Sequence, residues 1–378
     1  MRIGISCYPT IGGSGAVATE LGKALAHRGH EVHFIVTDVP FRLGGFHPNI
    51  YVHELDTTTY PVLRTPPYDL SLAALMAKTV ERYDLDILHV HYALPFAVCA
   101  FLAKEMVNDH RVKVVTTLHG TDITVLAQED TLVDVIRLGI TKSDAVTAVS
   151  QSLSRQTHEL FHVEKQIECI YNFVDPDVFR PKAVQEVKRC LAKPGEKVLL
   201  HTSNFRKVKR VPDVIRIFAN VQAVVPSRLA LVGEGPELNE ARKLVRQLGL
   251  TEKVEFLGKQ DEVAELFAAA DLFLLPSEKE SFGLVALEAM AAGVPVVGTI
   301  AGGIPEVVLH GKTGFLAEVG DITSMSEYAI RLLTDDGLYQ SFSEAGRMRA
   351  ENEFSLDVQV AEYERLYQRL VESEAVAL

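Results

Sequence analysis

No apolar run in this 378-residue sequence approaches the roughly 20 residues that a bilayer-spanning helix needs. Basic residues do not predominate: 38 Lys and Arg stand against 50 Asp and Glu, a net charge of −12. That balance argues against a nucleic-acid protein and against a general anionic-membrane surface, so any anion site must be a local basic pocket. Cysteine is scarce. The four present, Cys7, Cys99, Cys169 and Cys190, have no C-x-x-C spacing and are expected as reduced, mostly buried thiols of a cytoplasmic protein. A strand is expected almost from Met1, so no secretory leader is expected. Low-complexity segments and short-period repeats are absent, as are G-x-S-x-G, H-E-x-x-H, Walker loops and Cys–His metal clusters.

What is present is ample apolar material, 47% of residues, in a chain long enough for two domains, perhaps three. The opening reads strand (Arg2–Ser6), loop (Cys7 to Ser14), helix (15–28) and strand (Glu31–Thr37), as in a parallel sheet. Strands are expected at Ile50–Leu55, Ile87–His91, Val112–Leu118 and Ala145–Val149, with helices at about 70–83, 95–108, 130–142 and 151–160. The turn-rich YNFVDPDVFR then breaks the pattern, and from Val198 the same alternation resumes. The expected organisation is a first Rossmann-like domain over 1–170, a linker over 171–196, a second Rossmann-like domain over 197–354, and a C-terminal helix, 355–378, packing back on the first. The fold class is α/β, two doubly wound domains across a cleft, with ligands beyond the carboxyl ends of the strands.

The most informative stretch is Leu272 to Glu306. An apolar strand runs into a polar turn, then a helix in which every residue from Gly283 to Ala292 is apolar or glycine except Glu288. A helix that apolar is buried on nearly all sides, and a carboxylate inside it needs a hydrogen-bonding partner. Glu280 lies in the loop just before it. Ser281 is expected as the N-cap, leaving the amides of Phe282, Gly283 and Leu284 for an anion. Seven helical residues rise about 10 Å. Two carboxylates flanking an anion-binding helix start suit a ligand with a phosphate in the middle and a polyol at each end, such as a nucleotide sugar. A plain βαβ unit with an internally satisfied Glu288 is the simpler alternative; the loop carboxylate, the cap and the glycines favour the ligand site.

Glycine-rich turns are expected at strand ends in both halves: Gly12-Gly13-Ser14-Gly15 and Gly233-Glu234-Gly235-Pro236. Gly13-Ser14-Gly15-Ala16-Val17-Ala18 also fits G-x-G-x-x-A, with Asp38 ending the next strand, which outlines a nicotinamide-dependent oxidoreductase. A six-residue excursion containing Pro9 separates strand from motif and weakens that reading. His89 and His91 are expected on opposite faces of a strand, unable to share a metal. His119, in His119-Gly120-Thr121-Asp122, sits at a strand end and has a better claim. Arg206, Lys207, Lys209 and Arg210 make a basic knot after the strand at Val198–Thr202, placed to take phosphate.

With these residues in view the whole chain resembles the retaining glycosyltransferases of family 4, with the GT-B fold. The resemblance rests on Glu280…Glu288, the E-x7-E signature, in the setting P-S-x-x-E-x-F-G-x-x-x-L-E-A-M-A-x-G-x-P-V-V, and on GGIPE, GKTGF, NFVD and GEGP. CYPTIGGSG, HVHYALP, TTLHGTDITVL and SNFRKVKRV resemble one branch of it in particular. That branch implies UDP-N-acetylglucosamine as donor and L-malate as acceptor, the first step of bacillithiol biosynthesis, with inositol phosphate as the competing acceptor. Glu288 would hold the ribose. The loop Gly258–Val263, with Gln260 and Val263, would take the uracil. Arg206 and Lys209 would stabilise the leaving diphosphate with Gly13, Ser14 and the amides of Phe282, Gly283 and Leu284, and Gly235 would also contact the donor. Glu280 would grip the sugar and His119 would line its site. Ser14, Tyr92, Thr117, Arg137 and Asn204 would bind the acceptor. Many members carry arginine where Asn204 falls; here Arg206 is taken to supply that guanidinium. The resemblance further implies no metal, no other cofactor, no nucleic-acid or integral-membrane partner, a homodimer, and domain closure that excludes water. A nucleotide-sugar-binding protein without turnover is the third reading.

Overall fold

The computed structural model describes residues 1–9, 13–40, 42–56, 67–107, 111–125 and 129–375. Gly12 lies outside the described residues. The chain divides into two units, Met1–Asn172 with Leu356–Leu378, and Phe173–Ser355.

In the first unit, seven parallel strands lie in the order β3-β2-β1-β4-β5-β6-β7. They are β1 (Arg2–Ser6), β2 (Glu31–Val36), β3 (Ile50–Glu54), β4 (Ile87–His91), β5 (Lys113–Leu118), β6 (Ala145–Ala148) and β7 (Ile167–Cys169). β4 is buried at every residue, as a central parallel strand covered on both faces must be. Helices α1 (Gly13–His27), α2 (Tyr68–Tyr83), α3 (Val98–Met106), α4 (Thr121–Thr124), α5 (Asp130–Lys142) and α6 (Gln151–Phe161) connect them. The single helix expected over 95–108 is instead a wide turn, Ala93–Ala97, with Leu94 extended at φ −126° and ψ 131°, followed by α3. The short β7 is absent from the sequence-based expectation; three residues give too little periodicity to register.

The second unit carries six parallel strands in the order β10-β9-β8-β11-β12-β13. These are β8 (Lys197–Thr202), β9 (Ser227–Val232), β10 (Val254–Gly258), β11 (Leu272–Leu275), β12 (Val296–Thr299) and β13 (Gly314–Ala317). A helix, α7 (Gln185–Leu191), occupies part of the stretch expected as a polar linker. It is followed by α8 (Val211–Gln222), α9 (Leu238–Gln247), α10 (Ala264–Ala269), α11 (Leu284–Ala291), α12 (Ile304–Val307), α13 (Ile322–Thr334) and α14 (Asp336–Glu353). The core between sheet and helices is built from Leu199, Leu231, Leu274 and Val297 against Val214, Phe218, Met325 and Leu332.

The final helix, α15 (Leu356–Ala375), belongs to the first unit. Arg28, just past α1, bonds Glu364 and Asp357 at 2.7 Å each, and His30 meets Glu364 at 2.9 Å. Tyr363 and Tyr367 are fully buried, and the Tyr367 hydroxyl lies 2.7 Å from His89 Nδ1. The cysteines are less uniformly buried than expected: Cys7 and Cys99 are, Cys169 is intermediate and Cys190 is exposed, because α7 turns that residue outward. Among the described residues, no helix is long and apolar enough to cross a membrane.

Tyr367→Phe removes a hydroxyl from a buried histidine nitrogen and is expected to cost about 1–3 kcal/mol. Urea unfolding measures it; an unchanged midpoint would show that α15 is held without this bond.

Candidate active site

Both sheets reverse their strand order at the same place, between β1 and β4 in the first unit and between β8 and β11 in the second. At such a reversal neighbouring strand ends send their loops apart and leave a crevice. In each unit a polar side-chain bond spans it.

In the second unit that bond is Lys209 Nζ to Glu280 Oε2, 2.6 Å. The two side chains are 19% and 15% exposed, so water screens the pair only partly. Their loops are also tied through the backbone, Glu278 N–H donating to the Val208 carbonyl at 2.8 Å. Behind Glu280, the Gly303 N–H donates to the Glu280 carbonyl at 2.9 Å. A Cβ on Gly302 would fall 1.9 Å from that carbonyl oxygen, and φ there is +53°. Glycine is thus the residue that lets this chain press against the Glu280 loop. The Gly233–Gly235 turn approaches the basic loop as closely: Cβ atoms on those glycines would lie 1.9 Å from the Ser203 oxygen and 2.0 Å from the Asn204 oxygen. Arg206 is exposed and donates through Nη2 and Nε to the Asn204 side-chain oxygen at 3.1 and 3.0 Å. Gln260 is exposed, its amide on the Leu257 carbonyl at 2.7 Å, and Val263 caps α10.

Glu288 is 6% exposed, inside α11. The expected cap needs correcting. Gly283, not Ser281, is the N-cap, at φ 94°, because the chain turns into the helix through a left-handed residue, which glycine takes at no steric cost. The first capping bond is Ala286 N–H to the Gly283 carbonyl at 2.9 Å, so the amides opening the helix are those of Leu284 and Val285. Phe282 instead turns inward, buried against Phe354 with ring centroids 5.8 Å apart.

In the first unit the spanning bond joins Ser14 Oγ and the Tyr92 hydroxyl at 2.7 Å. Gly13 is exposed beside Ser14 at the start of α1. Tyr92 is a non-glycine residue at φ 88°, fixed by its N–H on the Thr117 carbonyl at 2.9 Å. Such a conformation costs of order 1–3 kcal/mol and persists where the surroundings over-determine it. Burial pushes its phenol up to about 12, so it stays protonated. His119 is part-buried next to it, ring centroids 5.3 Å apart. Thr117 and Arg137 are not brought to this group. The Thr117 hydroxyl is fully buried and bonded to His89 and Thr147 at 2.7 Å each. Arg137 spends its guanidinium on Asp134 and the Phe161 carbonyl, at 2.6 and 2.9 Å.

The expectation for His89 and His91 is also corrected. Residues two apart on a strand share a face, and the two rings stack 4.5 Å apart. Beyond them, His91 Nδ1 meets His119 Nε2 at 2.8 Å. Burial holds His89 and His119 down to about 3 and His91 well below its usual value, so all are neutral near pH 7. Among the described residues, no group of three or more His, Cys, Asp or Glu is placed to hold a metal ion. One contributor is missed at the sequence level: Asp122, fully buried, takes the Ala93 N–H and the Gly120 N–H at 2.9 Å each. It thereby joins the loops after β4 and β5, and burial raises its carboxyl to about 6. Its one sequence signal is an acid two residues behind a strand-end His-Gly.

Gly302→Ala forces a Cβ onto the Glu280 carbonyl and is expected to displace Glu280, losing about a hundredfold in turnover; steady-state rates near the parent value would refute it. The buried neutral histidines take up protons only when unfolded between about pH 6.5 and 3, so they stabilise fully above 6.5 and progressively less below. Asp122, raised to about 6, acts the other way but is one group against three. Melting temperature is therefore expected to fall from pH 7.5 to pH 5; a rise would contradict the neutral stack.

Comparison with known proteins gives the family. Residues 11–178 match the family described as Glycosyltransferase Family 4, and residues 185–349 match Glycosyl transferases group 1. The chain is 53% identical to the N-acetyl-alpha-D-glucosaminyl L-malate synthase of Bacillus anthracis, over 97% of this chain and 96% of that one. It is 29% identical to the D-inositol 3-phosphate glycosyltransferase of Thermobispora bispora, over 96% of this chain and 90% of that one. The fold is shared with sucrose-phosphate synthase from Thermosynechococcus elongatus (TM-score 0.83, 22% identity, 99% of this chain and 100% of that one). It is likewise shared with Anabaena Alr3699/HepE crystallised with UDP-glucose (TM-score 0.80, 21% identity, 100% of both chains). With two family matches and a relative of that identity along nearly its whole length, this chain belongs to glycosyltransferase family 4 and is a GT-B glycosyltransferase.

Proposed function

We propose that this enzyme moves N-acetylglucosamine from UDP-N-acetylglucosamine to the hydroxyl of L-malate with retention at the anomeric carbon, the first step of bacillithiol biosynthesis. The observation that carries the reading is the full-length 53% identity to the B. anthracis enzyme named for that product, against 29% to the inositol-phosphate enzyme. Inositol phosphate is the second acceptor to test.

In this reading the donor lies on the second unit. Glu288, buried in α11, takes the ribose hydroxyls, since a carboxylate there accepts two hydrogen bonds. The uracil meets the loop after β10 at Gln260 and Val263. The diphosphate meets Arg206, Lys209 and the opening amides of α11. Lys209 has three N–H donors, so it can keep Glu280 and still reach a phosphate oxygen. Glu280, held from behind by Gly302 and Gly303, is oriented for sugar hydroxyls. As the acceptor oxygen attacks on the face the diphosphate leaves, the C1–O bond to phosphate breaks and the leaving oxygen takes the acceptor's proton. Two cations and a helix start stabilise the developing charge, a task otherwise given to a metal ion. Ser14 and Tyr92 supply polar groups for a hydroxy dicarboxylate. Metal independence, a homodimer and a cytoplasmic location belong to the same proposal.

UDP release from UDP-N-acetylglucosamine is measured with malate, other hydroxy acids and inositol phosphates, with and without EDTA. Release with malate that survives EDTA is expected; activity with inositol phosphate and none with malate would overturn the acceptor. Glu288→Ala is expected to weaken UDP binding by calorimetry roughly tenfold or more, the loss of a charged hydrogen-bonding group. Glu280→Ala is expected to lower turnover mainly. Unchanged UDP affinity in the first variant would contradict the ribose assignment.

A further inference from the structure

Among the described residues of the first unit, one buried side-chain polar atom has no hydrogen-bond partner: Nε2 of His91. Its other nitrogen, Nδ1, lies 2.8 Å from His119 Nε2. His91 is the last residue of β4; its ring stacks on that of His89, centroids 4.5 Å apart, and meets that of His119 edge to edge through this bond, centroids 5.1 Å apart. His89 is in turn locked by the Tyr367 hydroxyl and Thr117, at 2.7 Å each. His91 is therefore held between a locked His89 and His119.

Both rings are neutral, so the bond between them holds one proton, and two arrangements exist. If His119 donates, the His91 proton is on Nε2, leaving a buried N–H with no acceptor. If His91 donates, Nε2 is a bare lone pair. Orphaned buried N–H groups are rarer in folded proteins than under-satisfied acceptors. That preference opposes, and here outweighs, the modest tendency of free imidazole to carry its proton on Nε2. With His119 Nε2 accepting, the proton of His119 sits on Nδ1.

We propose that His91 is a positioning residue: it donates from Nδ1 to His119, locks His119 in the Nδ1-protonated tautomer, and so presents a neutral N–H donor to a substrate oxygen. The last step rests on the functional reading above; the tautomer does not. His91 fixes which nitrogen of His119 is the donor and how the ring is turned. Without it, His119 is free to flip and to offer a bare acceptor where a donor is required.

The test reads the tautomer and the kinetics separately. In ¹⁵N-histidine-labelled wild-type protein, long-range proton–nitrogen spectra are expected to show His119 protonated on Nδ1, assigned with His119→Gln; protonation on Nε2 overturns the proposal. His91→Leu removes the donor and is expected to lower kcat by about tenfold to a hundredfold, the scale of a misplaced reacting group. UDP affinity should be unchanged, because neither His91 nor His119 is assigned a contact with the nucleotide. His91→Asn, whose Nδ2 stands near the imidazole Nδ1 and can donate the same bond, is expected to restore most of kcat. Loss in both variants alike, or in neither, refutes positioning. Should His91→Leu fail to fold, the wild-type tautomer and His91→Asn decide. Absence of UDP release by the wild type with every acceptor would sink the functional reading while the spectra still judged the histidine pair.

Discussion

The Lys209–Glu280 ion pair spans the reversal of strand order in the second sheet, and the loops proposed to hold the nucleotide sugar are organised around it. Parallel strands deliver their loops to one end of a sheet, and only at the reversal do adjacent loops part. A cation and a carboxylate fixed there at 2.6 Å, partly withdrawn from water, are costly to leave uncompensated and so are tied by backbone contacts from behind. The glycines that look like turn formers in the sequence serve this packing. Gly302 and Gly235 are glycine because another stretch of backbone passes where a Cβ would be.

The first unit repeats the plan with neutral groups. Ser14 and Tyr92 bond across its own reversal, a strained Tyr92 backbone marks the exit from β4, and neutral histidines lie behind it. Asp122 binds the loops after β4 and β5 together through backbone donors alone. The contrast suits a division of labour in which charge is handled on one unit and hydroxyl or carboxylate recognition on the other. The C-terminal helix reaches this apparatus from behind, through Tyr363 and Tyr367, so α15 is part of the first unit's core.

Much of this is legible in the sequence. Alternating apolar strands and amphipathic helices point to the doubly wound architecture because parallel sheets impose that alternation. Glu288 stands out because burying a lone carboxylate in an otherwise apolar helix is costly unless hydrogen bonds compensate it. Short elements escape: β7, β13 and α7 span too few residues to show a period. The N-cap is misplaced at Ser281 because propensity favours a hydroxyl there, whereas the turn demands the positive φ that Gly283 supplies. Thr117 and Arg137 cannot be told by type from the other candidate site residues; the structure buries Thr117 in the histidine network and pairs Arg137 with a local Asp134. The ring of His91 shares a face with that of His89, and only the stacking in three dimensions shows what it touches.

The central claim is that the nucleotide diphosphate is held at the reversal of the second sheet. A crystal structure with UDP tests it most directly. The account expects the diphosphate against Lys209 and the start of α11, with the ribose hydroxyls on Glu288. Nucleotide bound on the first unit, or a Glu288 carboxylate turned away from the ribose, would contradict it.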